Sequence, residues 1–370
     1  MSCLDDAGNA VDGWTLLKGD DDYIIYNYTA PAFVQSPFEV DQTSEGAIMR
    51  TLKPLYDNTV NSTYAYVMYN DDPPEASAAS ATYAHAKGIL AVDSTQGFWL
   101  VHSMPNWPED PIDTANPGIF PSNTYGQSLR CVTIDLAAAD SISNGLRIDY
   151  PKVYAHNLPV ALETPLNHMK QLIDRDRIGS SFQSNVSTFT SIGGTKYYQA
   201  AKSKDWSKDL WDDLVAPYFE TPMYVETWIK GAGGRMSSTC YNVSDPAPNQ
   251  KVNTYYDIYQ VSRVTMPNGA TWKNTEDHSK WGIAKASEID NNQVFDSKVV
   301  CIGDINRMCS QENRGGGALC MEDSEMHAAF KSIIGEEETC YLKDPCAGKY
   351  RELFPCGGIL SHVECCIRQL

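Results

Sequence analysis

The stretch His85-Ala86-Lys87-Gly88-Ile89-Leu90-Ala91-Val92 joins a basic tripeptide to an apolar segment that is typical of a buried β-strand. A second tripeptide of the same pattern, His278-Ser279-Lys280, occurs far along the chain. An asparagine follows each of them, at Asn106 and Asn306. Residues i and i+2 of a strand point to the same face, so each tripeptide is predicted to present an imidazole and an ammonium group from a rigid element.

Two such elements facing one another would form a pocket suited to a phosphodiester. One neutral imidazole would attack phosphorus, the other would protonate the departing oxygen, and the ammonium and amide groups would stabilise the phosphoryl oxygens. This chemistry needs neither a metal nor another cofactor. The predicted catalytic residues are His85, Lys87, Asn106, His278, Lys280 and Asn306. Asp277 and His102 are predicted to support the site, although a purely structural role for His102 stays open.

A third match to the pattern, His168-Met169-Lys170, lies in a segment with helical hydrophobic spacing. Residues two apart on a helix point about 200° apart, so this histidine and lysine cannot serve one site. His168 is therefore predicted to be a surface or boundary residue.

The composition is that of a folded protein, with 370 residues of which 42% are hydrophobic and 21% are charged. No apolar run approaches the roughly 18 residues needed to cross a bilayer, so stable membrane association is not expected. The formal net charge of −18 opposes nonspecific binding to nucleic acid. A polyanionic substrate would therefore need cations gathered in a cleft.

Strand-like and helical segments alternate along the chain, which indicates an α/β fold. Helices are predicted from Ser44 to Tyr56 and from Met321 to Ile334, and Gly315–Gly317 is predicted to be a tight loop. The expected strands are 64–69, 88–92, 97–103, 129–136, 223–229, 255–266 and 298–305. The proposed divisions are residues 1–165, 166–340 and a cysteine-rich tail at 341–370, with one tripeptide in each of the first two.

Eleven cysteines and four glycosylation sequons fit an oxidising compartment better than the cytosol. The sequons start at Asn27, Asn61, Asn185 and Asn242. No secretory signal is visible at the N-terminus, and one is expected to have been removed. Because the cysteine number is odd, one thiol is left over or pairs with another chain, which leaves a homodimer open.

Several segments resemble the deoxyribonuclease II family, the lysosomal acid DNases of the phospholipase D superfamily. The similar segments are Glu45-Gly46-Ala47, Tyr69-Asn70-Asp71-Asp72-Pro73-Pro74, His85-Ala86-Lys87-Gly88, Gly97-Phe98-Trp99-Leu100-Val101-His102-Ser103, Asn274-Thr275-Glu276-Asp277-His278-Ser279-Lys280-Trp281 and Arg314-Gly315-Gly316-Gly317. They extend over nearly the whole chain, and the string from Thr275 to Trp281 is highly specific.

The resemblance implies two pseudo-repeated phospholipase D-like halves, each a mixed β-sheet flanked by helices, with the active site at their interface. It also implies metal-independent hydrolysis of DNA at acidic pH, products with 3′-phosphate and 5′-hydroxyl ends, and a lysosomal or secreted enzyme. The implied disulfides are Cys3–Cys131, Cys240–Cys340 and Cys301–Cys320. The family pattern offers no counterpart for Cys309, Cys346, Cys356, Cys365 and Cys366.

Two other functions stay open at this point. One is a lipid phosphodiesterase of the same superfamily, and the other is a secreted toxin-like or binding protein on a deoxyribonuclease II scaffold. His85 is favoured as the nucleophile and His278 as the acid, but the sequence alone does not decide which histidine attacks.

Overall fold

The structure is a computed structural model that describes residues 1–19, 22–40, 45–57, 63–74, 81–114, 117–118, 125–176, 178, 183–231, 233–240, 256–285, 289–290 and 293–339. The helices are α1 Gly46–Asp57, α2 Leu136–Asp149, α3 Asn167–Ile173, α4 Ala216–Phe219 and α5 Ser324–Ser332. The strands up to residue 157 are β1 Cys3–Leu4, β2 Ala10–Val11, β3 Gly13–Lys18, β4 Asp22–Asn27, β5 Ala32–Glu39, β6 Ala65–Asn70, β7 Lys87–Val92, β8 Gln96–His102, β9 Gln127–Asp135 and β10 Val153–Asn157. The later strands are β11 Ser184–Thr190, β12 Lys196–Lys202, β13 Met223–Glu226, β14 Ile258–Thr265, β15 Thr271–Lys273, β16 Trp281–Ala284, β17 Ile289–Asp290, β18 Gln293–Val294, β19 Val299–Gly303, β20 Gly316–Glu322 and β21 Ile334–Glu337.

Two large sheets carry the fold, as the α/β prediction required. The first has the strand order β10-β6-β7-β8-β9-β3-β4-β5, and the second has the order β11-β12-β20-β19-β16-β13-β14-β15, with β21 also paired to β14. The second sheet is mixed, because β13 and β14 run parallel. The described strands of the first sheet are all antiparallel, contrary to the mixed sheet expected there. Short connections such as the turn after Val92 join neighbouring strands, which only antiparallel pairing allows.

The central strand β7 is buried on both faces. Ile89 and Ala91 belong to the core beneath α1, whereas Leu90 and Val92 belong to the core shared with the second sheet. This alternation follows from the period of two along a strand. It explains why the segment after Lys87 is apolar throughout, since both layers need packing.

The two sheets pack against one another through that shared core. Arg130 of β9 lies within the interface, where it donates hydrogen bonds to Tyr28, in the turn after β4, and to Tyr197 of β12 in the second sheet. Phe33 and Phe330 make an edge-to-face contact across the same interface, with ring centroids 5.1 Å apart. Helix α2 begins at an N-cap, Asp135, whose side chain accepts from Ala138 N, and packs against strands of both sheets.

Two of the implied disulfides are confirmed. Cys3 bonds to Cys131, and Cys301 bonds to Cys320 between neighbouring strands β19 and β20. Cys240 and Cys309 are also disulfide-bonded. Cys340 and the later cysteines lie outside the described residues, as do the sequon asparagines Asn61 and Asn242. No helix within the described ranges is long and apolar enough to span a membrane.

Two boundaries predicted from the sequence are wrong. Gly316 and Gly317 open strand β20, whereas the sequence indicated a loop followed by a helix from Met321. A Cβ on Gly317 would lie 2.4 Å from the carbonyl oxygen of Ala200, so close pairing with β12 requires glycine there. Helix α5 therefore starts only at Ser324, after the N-cap residue Asp323.

Candidate active site

The first tripeptide lies where β6 and β7 meet. Lys87 is the first residue of β7 and pairs with Asn70, the last residue of β6. The next residue, Asp71, forms an ion pair with the Lys87 ammonium group and accepts a hydrogen bond of 3.0 Å from Arg314 Nη2. His85 lies before the strand and Lys87 is its first residue. The sequence predicted both residues within the strand.

Backbone groups of the second half hold His85. Its amide donates to the carbonyl oxygen of Gly315 at 2.9 Å, and its ring Nδ1 lies 3.2 Å from the carbonyl oxygen of Asp304. A carbonyl oxygen only accepts, so Nδ1 carries a proton. The other nitrogen, Nε2, thereby keeps a free lone pair and lies 3.9 Å from Asp71 Oδ2.

Burial and the neighbouring charges together shift the pKa values of His85 and Asp71. Burial lowers the pKa of His85 well below its usual value, against the raising effect of Asp71, and Lys87 and Arg314 lower it further. Burial by itself raises the pKa of Asp71, but the positive charges of His85 when protonated, of Lys87 and of Arg314 lower it overall. His85 is therefore favoured in its neutral form, the form in which an imidazole can attack.

The second tripeptide immediately precedes β16 and is held by the first half. The amide of His278 donates to the carbonyl oxygen of Gly126 at 2.8 Å, and the amide of Lys280 donates to Ser128 Oγ at 3.1 Å. Asp277 is buried and accepts from Ser279 N at 2.8 Å, which fixes the turn before His278. Each tripeptide thus takes backbone support from the opposite half.

His278 lies among aromatic rings. Its centroid is 4.9 Å from that of Tyr125, with the ring planes 12° apart, and 3.9 Å from that of Trp228. Its Nε2 is buried and has no hydrogen-bond partner among the described residues. Burial, followed by the charges of Lys280, Lys87 and Lys230, lowers the pKa of His278 to about 3.

The two lysines lie in one electrostatic environment. Lys280 Nζ donates to the carbonyl oxygen of His278 at 2.5 Å. Burial and the charge of Lys87 lower the pKa of Lys280 to about 7, against the raising effect of Asp71 and other carboxylates. The Lys87 charge likewise lowers the pKa of His278, and the Lys280 charge lowers that of His85. The two tripeptides, distant in sequence, are therefore close enough to affect each other's ionisation.

Comparison with known proteins identifies the family of the chain. Residues 2–340 match the family model described as Deoxyribonuclease II. The chain belongs to the deoxyribonuclease II family. It is 31% identical over 358 residues to Plancitoxin-1 of Acanthaster planci, with 92% of each chain covered. It is 31% identical over 302 residues to Deoxyribonuclease-2-alpha of Sus scrofa, covering 80% of this chain and 76% of the relative. It is also 31% identical over 356 residues to a putative deoxyribonuclease-2 of Burkholderia thailandensis, covering 89% and 91%.

Membership of the deoxyribonuclease II family makes the chain an acid deoxyribonuclease-type hydrolase, with DNA as the substrate class. The sequence predicted both. No group of three or more His, Cys, Asp or Glu side chains suited to a metal ion occurs within the described ranges.

The two asparagines of this deoxyribonuclease II family member differ in their surroundings. Asn306 is buried, and its Oδ1 has no hydrogen-bond partner among the residues described. Asn106 is exposed, adopts a left-handed backbone with φ of 52°, and donates from Nδ2 to Asp72 Oδ2 at 3.2 Å. Asn106 and Asn306 therefore occupy corresponding places in the sequence pattern, but only Asn306 is buried.

Two other histidines contact groups unlike those around His85 and His278. His102 is buried, accepts from Met104 N at 3.2 Å and lies edge-on to Trp107, and burial together with the Lys87 charge lowers its pKa to about 3. His168 lies on α3, partly exposed, with Nδ1 2.7 Å from Asp140 Oδ2, as its predicted boundary position indicates.

Sequence reasoning missed several residues of this deoxyribonuclease II site. It gave no role to Asp71 or Arg314, although they form the ion-pair cluster around Lys87. It also missed Glu226, a fully buried carboxyl group whose two oxygens have no partner among the described residues. Burial, followed by the charge of Asp277, raises the pKa of Glu226 well above its usual value. A single glutamate at the end of a strand carries no sequence signal that would reveal its burial.

Proposed function

We propose that this protein hydrolyses DNA phosphodiesters at acidic pH without a metal ion, leaving 3′-phosphate and 5′-hydroxyl ends. The observation that carries the proposal is the reciprocal support of His85 and His278 by the two halves, with Lys87 close enough to lower the pKa of Lys280. Two imidazoles and two ammonium groups supply the nucleophile, acid and charge stabilisation that phosphoryl transfer needs.

In the first step, Nε2 of neutral His85 attacks phosphorus and forms a nitrogen–phosphorus bond. The bond to the 5′ oxygen breaks as protonated His278 gives that oxygen its proton. In the second step, water attacks the phosphohistidine while neutral His278 accepts a proton from it. The nitrogen–phosphorus bond breaks, which leaves a 3′-phosphate and regenerates both imidazoles.

The charged and amide groups would stabilise the phosphoryl oxygens throughout. Lys87 and Lys280 supply positive charge, and Asn306 supplies a buried amide whose Oδ1 accepts no hydrogen bond from the described residues. Asn106 would reach the substrate from the exposed rim. Asp277 would support His278 by holding the turn before it.

The predicted pH dependence follows from the two histidines. The lowered pKa of His85 keeps it neutral in acid. The pKa of His278 is about 3 in the free site, and the negative charge of a bound phosphodiester would raise it. Protonated His278 is therefore expected only on the acidic side, where the rate should pass through a maximum.

Plasmid cleavage from pH 4 to pH 8 in chelator tests the proposal, followed by chemical identification of the new ends. We expect cleavage on the acidic side, ends that accept label from a 5′ kinase without prior dephosphorylation, and 3′-phosphates. Cleavage that depends on added magnesium, or products with 5′-phosphates, would refute the mechanism.

We also propose that each half has a phospholipase D-like arrangement. The neighbouring strands β6-β7-β8-β9 of the first sheet correspond to β13-β16-β19-β20 of the second, with a tripeptide before the second strand and a helix after the fourth in both. The described disulfides support an oxidising location, lysosomal or secreted.

The similarity to Plancitoxin-1 favours a second use of the same scaffold, as a secreted toxin-like protein. Toxicity assays of the intact protein and of the variants His85→Ala and His278→Ala distinguish the two uses. Toxicity that survives both substitutions would show a noncatalytic function, whereas toxicity lost with cleavage would show that the nuclease is itself the toxic agent.

A further inference from the structure

Two buried carboxyl groups from different halves meet behind His85. Asp149 ends helix α2, and Asp304 follows strand β19. Both line a cavity of about 10 Å³, and their exposed fractions are 3% and 9%. A space of that size holds at most one water molecule. Gln199 also lines it, with an Oε1 that has no hydrogen-bond partner among the described residues.

Neither carboxylate forms an ion pair within the part of the chain that the structure describes. Asp304 Oδ1 accepts from Gly317 N at 2.7 Å, and Asp149 Oδ1 accepts from Lys202 N at 3.1 Å. The Lys202 ammonium group instead donates to three carbonyl oxygens, those of Gln311, Glu312 and Arg314. Two like charges in so small a buried space repel each other strongly, so one shared proton stabilises the pair.

The pair connects directly to the proposed nucleophile. The carbonyl oxygen of Asp304 itself accepts from His85 Nδ1, and the carbonyl oxygen of Gly315 accepts from the His85 amide. Gly315 in turn packs on the backbone of Asp149, where a Cβ would approach the Asp149 oxygen to 2.0 Å. A movement of either aspartate would therefore be transmitted to the imidazole.

We propose that Asp304 is a positioning residue for His85, and that Asp149 and Asp304 share a proton whose loss near neutral pH displaces the Asp304 carbonyl from Nδ1. This inference rests on the proposed role of His85 in catalysis. It links the acidic working range of the enzyme to a contact between its halves, independently of the titration of the two histidines.

Burial and the nearby carboxylates favour the protonated form of the pair, whereas the nearby lysines oppose it. Burial raises the pKa of Asp304 to about 7, although the Gly317 amide, Lys87 and Lys280 lower it. Burial and then the charge of Asp304 raise the pKa of Asp149, against Lys202. The other titratable groups facing the pair are Asp71, which raises the pKa of Asp304, and the buried phenol of Tyr69.

The sign of the effect on stability follows from linkage. A carboxyl group whose folded pKa exceeds its unfolded value near 3.8 binds its proton more tightly in the folded state. The pair therefore contributes stability that is greatest below about pH 4 and is lost as the pH rises toward about 7. Removing one of the two charges should flatten this loss.

Asp304→Asn and Asp149→Asn test the proposal, because an asparagine Oδ1 can keep each described hydrogen bond while the charge is removed. Asp12→Asn is the matched control, since Asp12 also joins the halves, by accepting from Ser191 Oγ and Gly193 N. Initial rates of plasmid cleavage are measured in chelator from pH 4 to pH 8, and thermal unfolding midpoints over the same range.

We expect the ratio of the rate at pH 7 to the rate at pH 5 to rise at least threefold in Asp304→Asn and Asp149→Asn, and to stay at the wild-type value in Asp12→Asn. The fall in unfolding midpoint between pH 5 and pH 7 should become smaller in the first two variants only. Either substitution alone suffices, so the test does not depend on the folding of both. Unchanged ratios and unchanged midpoint profiles would overturn the shared-proton pair, whereas an inactive or magnesium-dependent wild type would overturn the proposed function instead.

Discussion

At the scale of single residues, the two tripeptides differ in what surrounds them. Lys87 is ion-paired with Asp71, whereas the Lys280 ammonium group donates to a backbone carbonyl oxygen. His85 faces a carboxylate, whereas His278 lies against aromatic rings. Equal sequence patterns have therefore become unequal sites, which fits different roles for the two imidazoles.

Substitution of either imidazole should abolish cleavage. His85→Ala and His278→Ala are each expected to reduce the rate by about 100-fold or more, because the first removes the proposed nucleophile and the second the proposed proton donor. Plasmid nicking at acidic pH in chelator measures the effect. His168→Ala is the control, because His168 lies on α3 with Asp140 and should retain the wild-type rate.

Asp71→Asn should destabilise the protein, because it leaves the buried Lys87 and the partly buried Arg314 without their counter-ion. Breaking such a buried pair costs about 3 kcal/mol of the free energy of unfolding. The folded pKa of Asp71 is lowered, so its contribution is present above the unfolded pKa and is lost as the pH falls below about 4.

Urea denaturation at pH 6 and pH 3 measures this difference, which should be smaller at the lower pH. Asp176→Asn removes an exposed ion pair with Arg147 and should change the free energy of unfolding by less than about 1 kcal/mol. Equal effects of the two substitutions at pH 6 would contradict the assignment of Asp71 as the counter-ion of the site.

At the scale of secondary-structure elements, apolar runs predicted the strands that build the site, including β7, β8 and β19. The same reasoning did not place Arg314 against Asp71, because 243 residues separate them and neither has a local signal. It also predicted a loop where β20 begins, since consecutive glycines usually indicate a turn and here permit close strand approach. Local sequence patterns thus predicted several of the strands, whereas contacts between distant segments could be identified only from the structure.

The loop aromatics beside β16 should position His278. Tyr125→Leu removes a stacked ring from the imidazole and is expected to lower kcat several-fold with little change in KM, because the imidazole would lose a preferred orientation. Tyr125→Phe retains the ring and should behave like the wild type. Steady-state kinetics on an oligonucleotide substrate measures both, and equal losses in the two variants would point to the phenol hydroxyl instead.

At the scale of the whole molecule, both tripeptides lie where residues of the two halves contact one another. The shared core and Arg130 fix their relative position, and the backbone contacts of both tripeptides depend on that position. The proposed division of the chain near residue 165 remains a prediction. The first sheet ends at Asn157 and the second begins at Ser184.

Arg130→Gln should loosen this interface. The shorter side chain loses charged hydrogen bonds to Tyr28 and Tyr197, which should lower the free energy of unfolding by about 2 to 3 kcal/mol. Cleavage should fall as well, because the imidazoles would shift relative to one another. Denaturation and cleavage assays check both effects against Arg147→Gln, a substitution at the surface ion pair with Asp176.

The reciprocal backbone support of the tripeptides also restricts how the chain can diverge. A substitution at Gly315 would alter the hydrogen bond to the His85 amide, and a substitution at Ser128 would alter the hydrogen bond to the Lys280 amide. Substitutions at these positions in one half are therefore expected to require compensating changes in the other half. A chimera that exchanged one half for that of a distant relative would also need the contacting residues of the other half to be exchanged. Hybrid enzymes of this kind are therefore best designed by keeping each pair of contacting segments from the same parent.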